Sequence, residues 1–206
     1  MAKPVPDFWH EQTALSQGAA FVVGVDEVGR GPLCGPVTAA AVRLDPARIP
    51  AGLGDSKTLT AARRESLFAE LRQVAQIAIA HASVEEIDSL NILRASHLAM
   101  ERAVAELGAD FALIDGNLIP RNLPCRGLAI IKGDAKSLSI AAASICAKVT
   151  RDRIMVDLAQ QYPGYGWEAN AGYPTKAHLE ALLNLGVTPV HRRSFKPVYN
   201  ILYQEK

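Results

Sequence analysis

Three acidic side chains share one local context. Asp26 follows "FVVGV", Asp115 follows "FALI" and Asp134 follows "LAIIKG", so each stands where an apolar run ends, and Glu27 adjoins the first. A lone Asp in such a place is ordinarily a turn former or a helix cap. Three in matching places, with Glu27 beside them, point elsewhere: if the runs are neighbouring strands, the carboxylates converge at one end of a sheet. Close like charges raise each other's pKa, and a divalent cation relieves the conflict. Oxygen donors alone, with no His or Cys nearby, suit Mg2+ or Mn2+ over zinc. Two such ions about 4 Å apart can activate a water and stabilise a leaving oxygen in an in-line phosphoryl displacement. The chemistry favoured by the pattern is phosphodiester hydrolysis.

Competing chemistries lack their residues. No G-x-x-x-x-G-K-[ST] loop is present. "GRGPLCG" (29–35) has the spacing G-x-G-x-x-x-G and leads into a β-rich run, so it offers pyrophosphate no helix N-terminus and is not a dinucleotide fingerprint. There is no G-x-S-x-G elbow. Cys34, Cys125 and Cys146 show neither C-x-x-C nor His-Cys spacing, which speaks against a disulfide framework or a zinc site and fits a reducing cytoplasm. They read as small buried hydrophobes.

The acidic residues need strands and helices to position them. "AAFVVGVD" reads as a buried strand rich in β-branched residues, and "PVTAAAVRL" (36–44) as a second strand across a Gly/Pro turn. "IAIAHAS" (77–83) is a third strand, reached through a helix over 60–75 with Thr60 as its N-cap. An amphipathic helix over 91–108, closed by Gly108, leads to the strand "FALID" (111–115). A further strand, "LAIIKGD" (128–134), leads to a long helix over 137–162, ended by Pro163, Gly164 and Gly166. The small residues in its first half suit close packing on a sheet. A last helix spans about 175–186. Hairpin-like strands followed by strand–helix–strand units predict an α/β fold with a mixed sheet and helices on its faces.

At 206 residues the chain suits one domain, able to bury roughly 70% of its unfolded surface. Residues 1–19 read as a loose or helical extension and 20–206 as the domain, with a helical C-terminal part. No apolar run approaches the roughly 20 residues of a membrane span, and the N-terminus shows no secretory signal. The net charge of +1 argues against a non-specific polyanion binder. It hides an asymmetry: residues 1–120 carry ten Lys/Arg and fifteen Asp/Glu (net −5), residues 121–206 twelve and six (net +6). An acidic part joined to a basic part suits a metal site beside a phosphate-contacting surface, or simply two solvated faces.

The segments "GVDEVGRGPLCGPV", "DSKTLT", "LIDGN", "KGDAKS", "AASICAKVTRDR" and "GYPTKAH" occur in this order, and over residues 20–200 the chain resembles ribonuclease HII. The resemblance implies a ribonuclease H-like fold, a five-stranded mixed sheet flanked by helices. It implies a metal-dependent endonuclease, using Mg2+ or Mn2+, that cuts the RNA strand of RNA–DNA hybrids. It also implies cutting 5′ of single ribonucleotides in duplex DNA, leaving 3′-hydroxyl and 5′-phosphate ends, in the service of ribonucleotide removal. The catalytic and metal-binding set would be Asp26, Glu27, Asp115 and Asp134, with Asp26 the bridge between two ions. Asp152 in "RDR" stays outside it, as a helix-surface partner of Lys148 or Arg151.

Gly29, Arg30 and Gly31 resemble the family's ribonucleotide-reading segment, where glycine lets main-chain groups approach the 2′-hydroxyl. Tyr173 resembles the tyrosine that reads the same hydroxyl. Ser56 and Lys57, with Thr175 and Lys176, would hold backbone phosphates. Lys132, Lys136, Lys148 and Arg151 would extend the basic surface, and "HRRSFKP" (191–197) is its densest patch or a charged turn. His191 there could equally satisfy a backbone group. The expected partner is an RNA–DNA hybrid or ribonucleotide-containing duplex, met by a monomer. The tail "PVYNILYQEK" lacks the pattern Q-x-x-[ILM]-x-x-aromatic-aromatic, which leaves a sliding-clamp contact doubtful. Two other classes stay in view: a ribonuclease H-like DNA nuclease such as a junction resolvase or transposase, and a nucleic-acid binder without chemistry.

Overall fold

The apolar run before Asp26 becomes β1 (Val22–Val28), the middle strand of a five-stranded sheet in a computed structural model that describes residues 5–203. β2 (Val37–Arg43) and β3 (Gln76–Ala82) extend it on one side, β4 (Phe111–Asp115) and β5 (Arg126–Ile130) on the other, in the order β3-β2-β1-β4-β5. β1–β2 and β2–β3 are antiparallel, while β1–β4 and β4–β5 are parallel. The sheet is therefore mixed, as the order of hairpin and crossover units predicts.

Strand alternation gives each face its own core. Val23, Val25, Ala112 and Ile114 turn to one face and pack with Ala95, Ala99, Met100 and Ala103 of α4 (Ile92–Leu107). On the other face Ala40 and Val42 meet Leu67, Phe68 and Leu71 of α2 (Ala61–Val74), with Ala141, Ala142 and Ile145 of α5 (Leu138–Gln161). α5 lies so close to β1 that a Cβ on Gly24 would overlap the Ser139–Ile140 backbone. The Ala/Ser-rich start of α5 permits that approach.

The helix ends follow local chemistry. Thr60 caps α2 by accepting from the Arg63 amide at 3.2 Å. A short helix, α3 (Val84–Leu90), precedes α4 and begins with a capping box of Ser83 and Glu86. Asn91, at φ 72°, separates the two and caps α4 by accepting from the Leu93 and Arg94 amides. The sequence periodicity shows α4 but not α3, which is only seven residues long.

Beyond the sheet, the second half of α5 carries a smaller layer: α6 (Trp167–Asn170), α7 (Lys176–Leu185) and α8 (Lys196–Tyr203). Its core joins Trp167, Tyr165, Leu182 and Val198 to Met155 of α5 and to Leu33 and Cys34 of the β1–β2 connection. At the other end α1 (Trp9–Ser16) docks against the start of α5: the Asp7 backbone bonds on both sides of Ser137, to the Lys136 carbonyl at 3.2 Å and from the Leu138 amide at 3.0 Å. Cys34 and Cys146 are buried and none of the three cysteines is bridged; burial pushes both buried thiols up to about 12, which makes them unreactive. No helix among the described residues is long and apolar enough to cross a membrane.

Candidate active site

Parallel register brings two of the acids together. Val25 pairs with Ile114, so Asp26 and Asp115 are the next residues along adjacent strands. Both follow residues of the α5 face, Gly24 and Leu113, by two positions, and so turn toward α5. Asp134 arrives on the same side by a different route. The strand expected over 128–134 ends at Ile130, because Lys132 takes a left-handed conformation (φ 55°) and a 3-10 turn, Gly133–Ala135, follows. That turn is tied to β4: the Gly133 amide donates to Asp115 Oδ1 at 2.6 Å. Asp134 thus sits in a turn beside Asp115 instead of at a strand end.

Glu27, the next residue after Asp26, turns to the opposite face of the strand. There Arg30 Nη1 reaches its Oε1 at 3.4 Å. Asp26 Oδ1 accepts from the Glu27 amide at 2.7 Å, and Ser144 of α5 lies close enough to oppose the rise of its pKa.

The cluster is electrostatically strained. The Asp26 carboxyl is raised well above the usual carboxylate range, first by burial, then by the charges of Glu27 and Asp115. Burial also raises Glu27, with Asp115 adding to the shift and Arg30 opposing it. Asp134 is raised by burial and by Asp115 and Asp55, against Lys57. Among the described residues no three His, Cys, Asp or Glu side chains already form a ligand cage. The hydrogen bonds explain this: Glu27 is drawn toward Arg30 and Asp115 toward the Gly133 amide. The donors themselves are all carboxylate oxygens sharing excess negative charge, which fits a hard divalent cation.

The substrate residues expected from the sequence separate into those that face outward and those that do not. Tyr173 is 40% exposed, and a Cβ on Gly31 would stand 3.2 Å from its Cε1. The segment 29–31 and the tyrosine therefore form one surface. Gly29 has φ 98°, and a Cβ there would run into the Arg151 guanidinium. Arg30 is half exposed. Lys57 is exposed and near Asp134, but Ser56 is buried and its Oγ accepts from Ser144 Oγ at 2.9 Å. Thr175 caps α7 through the His178 amide, and Lys176 is solvated with Glu180 3.8 Å away. Asp152 pairs with Lys148 at 2.6 Å, the helix-surface partner it was expected to be.

Two arginines depart from the expected basic surface. Arg151 and Arg192 are both fully buried. Arg151 donates to the carbonyls of Pro36, Ala171 and Cys34. Arg192, read as part of a surface patch, donates instead to the carbonyls of the glycine-rich loop. His191 beside it is buried, with Nδ1 accepting from the Thr188 amide at 3.0 Å. Sequence reasoning missed the role of both arginines, and of Asp88, which accepts from the Arg193 and Ser194 amides at 2.9 Å each. The loop "GRGPLCGP" held the signal: a run with three glycines and two prolines turns many carbonyls inward and needs donors for them.

Comparison with known proteins agrees with this architecture. The family model described as Ribonuclease HII matches residues 23–198. Ribonuclease HII from Cereibacter sphaeroides is 72% identical over 202 residues, 97% of this chain and 95% of the relative. The ribonuclease HII of Archaeoglobus fulgidus, solved in complex with PCNA, superposes with a TM-score of 0.74 at 27% identity, covering 86% of this chain and 96% of that one. Bst RNase HIII, solved in complex with Mn2+, shares the fold with a TM-score of 0.71 at 19% identity, over 92% of this chain and 71% of that one. The five-stranded mixed sheet with its flanking helices is the ribonuclease H-like fold.

Proposed function

The chain belongs to the ribonuclease HII family and is a ribonuclease H hydrolase, and from that premise we propose that it cuts 5′ of single ribonucleotides in duplex DNA as well as within RNA–DNA hybrids, leaving 3′-hydroxyl and 5′-phosphate ends. The observation that carries this reading is the continuity of the reading surface with the acids: Gly31, packed under Tyr173, lies four residues beyond Glu27 on one connection.

In this mechanism Asp26, Glu27, Asp115 and Asp134 hold Mg2+ or Mn2+; their all-oxygen chemistry and raised carboxyls support that role. Bound there, such ions would lower the pKa of a coordinated water and stabilise charge on the leaving oxygen. The chain's own contribution is position. The amides of Arg30 and Gly31 meet the 2′-hydroxyl, Tyr173 stacks on the sugar, and Lys57, Thr175 and Lys176 meet backbone phosphates. Ser56 acts from beneath, through Ser144, in line with its burial. Fixing the scissile phosphorus in this way is a large part of catalysis in phosphoryl transfer. Three unbridged cysteines suit a cytoplasmic enzyme.

The test is gel-resolved cleavage of two labelled duplexes with Mg2+ or Mn2+, one carrying a single ribonucleotide and one all DNA. A single cut 5′ of the ribonucleotide, absent from the all-DNA duplex and with EDTA, is the expected result. Cutting of both would overturn ribose reading and leave a general DNA nuclease.

A further inference from the structure

Arg192 is a fully buried guanidinium that forms no ion pair among the described residues. Its donors go instead to five carbonyls of one loop: Gly29 at 2.6 Å, Pro32 at 2.8 Å, Gly35 at 3.0 Å, and Arg30 and Pro36 at 3.2 Å each. Burying a guanidinium without a carboxylate is costly unless its donors are satisfied. Here every one is spent on the segment proposed to read the ribose. The residue is itself pinned: its amide donates to the Leu33 carbonyl at 2.8 Å, and Asp88 holds the two amides that follow.

The consequence follows from peptide geometry. In a trans peptide the C=O of one residue and the N–H of the next point in opposite directions. Drawing the Gly29 and Arg30 carbonyls inward therefore turns the Arg30 and Gly31 amides outward. Neither amide donates a hydrogen bond among the described residues, and Gly31 lies beside Tyr173. We infer that Arg192 is the positioning residue for ribose recognition: it never touches substrate, and it fixes two main-chain donors in the orientation that meets a 2′-hydroxyl. This rests on the ribose-reading function proposed above.

The test measures binding by fluorescence anisotropy in an Asp115→Asn background, which removes cutting, with Mn2+ present. Two duplexes are compared, one with a single ribonucleotide and one all DNA. The background protein should prefer the ribonucleotide. Adding Arg192→Lys, which offers three donors in place of five, should shrink that preference by about tenfold or more. Affinity for the all-DNA duplex and a cooperative melt should be retained. A merely structural arginine would weaken both affinities together. An unchanged preference in the folded variant overturns the role of Arg192 alone; no preference in the background protein overturns the ribose reading itself.

If Arg192→Lys fails to fold, amide exchange by NMR on the wild-type protein decides. The Arg30 and Gly31 amides should exchange fast in the free protein and slow with the ribonucleotide duplex but not with DNA. Protection of both in the free protein would overturn the outward orientation.

Discussion

The Tyr173 ring lies against Gly31, with 3.2 Å between its Cε1 and the place a Cβ would occupy. The two residues are far apart in the chain, and the contact depends on two ties between their loops: the Leu33 amide donates to the Gly172 carbonyl at 2.8 Å, and Arg151 bridges Pro36 and Ala171. The surface that Gly31 and Tyr173 share is therefore a joint property of the sheet and the C-terminal helical layer.

Gly31→Ala should separate function from stability. A methyl at 3.2 Å requires the ring to give by a few tenths of an ångström, and at 40% exposure the ring is free to do so. Stability should change by less than about 0.5 kcal/mol. Cleavage at a single ribonucleotide should fall by about tenfold or more, because the ring leaves its stacking position. Thermal melts and single-turnover rates check both halves.

Asp26→Asn should abolish activity yet stabilise the metal-free protein. The Asp26 carboxyl is raised by burial, Glu27 and Asp115. A raised acid favours folding in its protonated form, so that stability is present below its unfolded pKa and is lost as pH rises through the folded one. As its charges form with rising pH, the cluster works increasingly against folding. The amide keeps the shape and the acceptor for the Glu27 amide while removing one charge. Cleavage should fall by roughly 10²–10³-fold or more, and the Tm without metal should rise by about 2–4 °C at pH 7. Mn2+ should raise the wild-type Tm and leave the variant nearly unmoved.

What could be read from residues alone divides along a physical line. Strand ends and the long helices were legible because apolar periodicity reports which face is buried, and Asp26 and Asp115 were legible because each closes such a run. Asp134 was placed one element off: nothing in "LAIIKGD" announces the left-handed Lys132 that ends the strand early. Glu27 adjoins Asp26 in the chain, and its charge reaches the same cluster from the other face of the strand. Arg151, Arg192 and Ser56 were read as surface groups because charge and polarity signal solvent by default, and their burial depends on long-range carbonyl and hydroxyl partners that local sequence does not encode.

Glu11 is expected to matter more than its place outside the family pattern suggests. It is 1% exposed, and its Oε1 accepts from Ser137 Oγ, the Ser139 amide and Ser139 Oγ at 2.5–2.8 Å, at the start of α5. Glu11→Ala should cost about 2–4 kcal/mol by leaving those donors unpaired. Its Oε2 has no partner among the described residues, so Glu11→Gln, which keeps one oxygen acceptor, should cost clearly less. Urea melts of the two variants check the difference; equal losses would mean that the charge, not the acceptor, holds α1 to α5.

Acid should loosen the layer behind Tyr173 before it unfolds the sheet. His191 is pushed down to about 4 by burial and by its neighbour His178, against a backbone hydrogen bond from Thr188. His178 is lowered by burial too; its Nε2 accepts from the Trp167 indole at 2.9 Å, which leaves Nδ1–H to donate to the Tyr173 carbonyl. For a histidine with a depressed folded pKa, the unfolded chain binds the extra proton first. Stability is therefore complete above about pH 6.5 and falls toward pH 4, by about 3 kcal/mol for His191 alone. Protonating His178 removes the acceptor for Trp167 and sets two N–H donors against each other, while Nδ1–H still holds the Tyr173 carbonyl. Urea melts across that range should show the slope for wild type and a flatter one for His191→Leu, whatever its absolute stability. Trp167 fluorescence should change in the same window, ahead of far-UV circular dichroism. A flat stability profile between pH 6.5 and 4 would contradict the neutral, buried histidine pair.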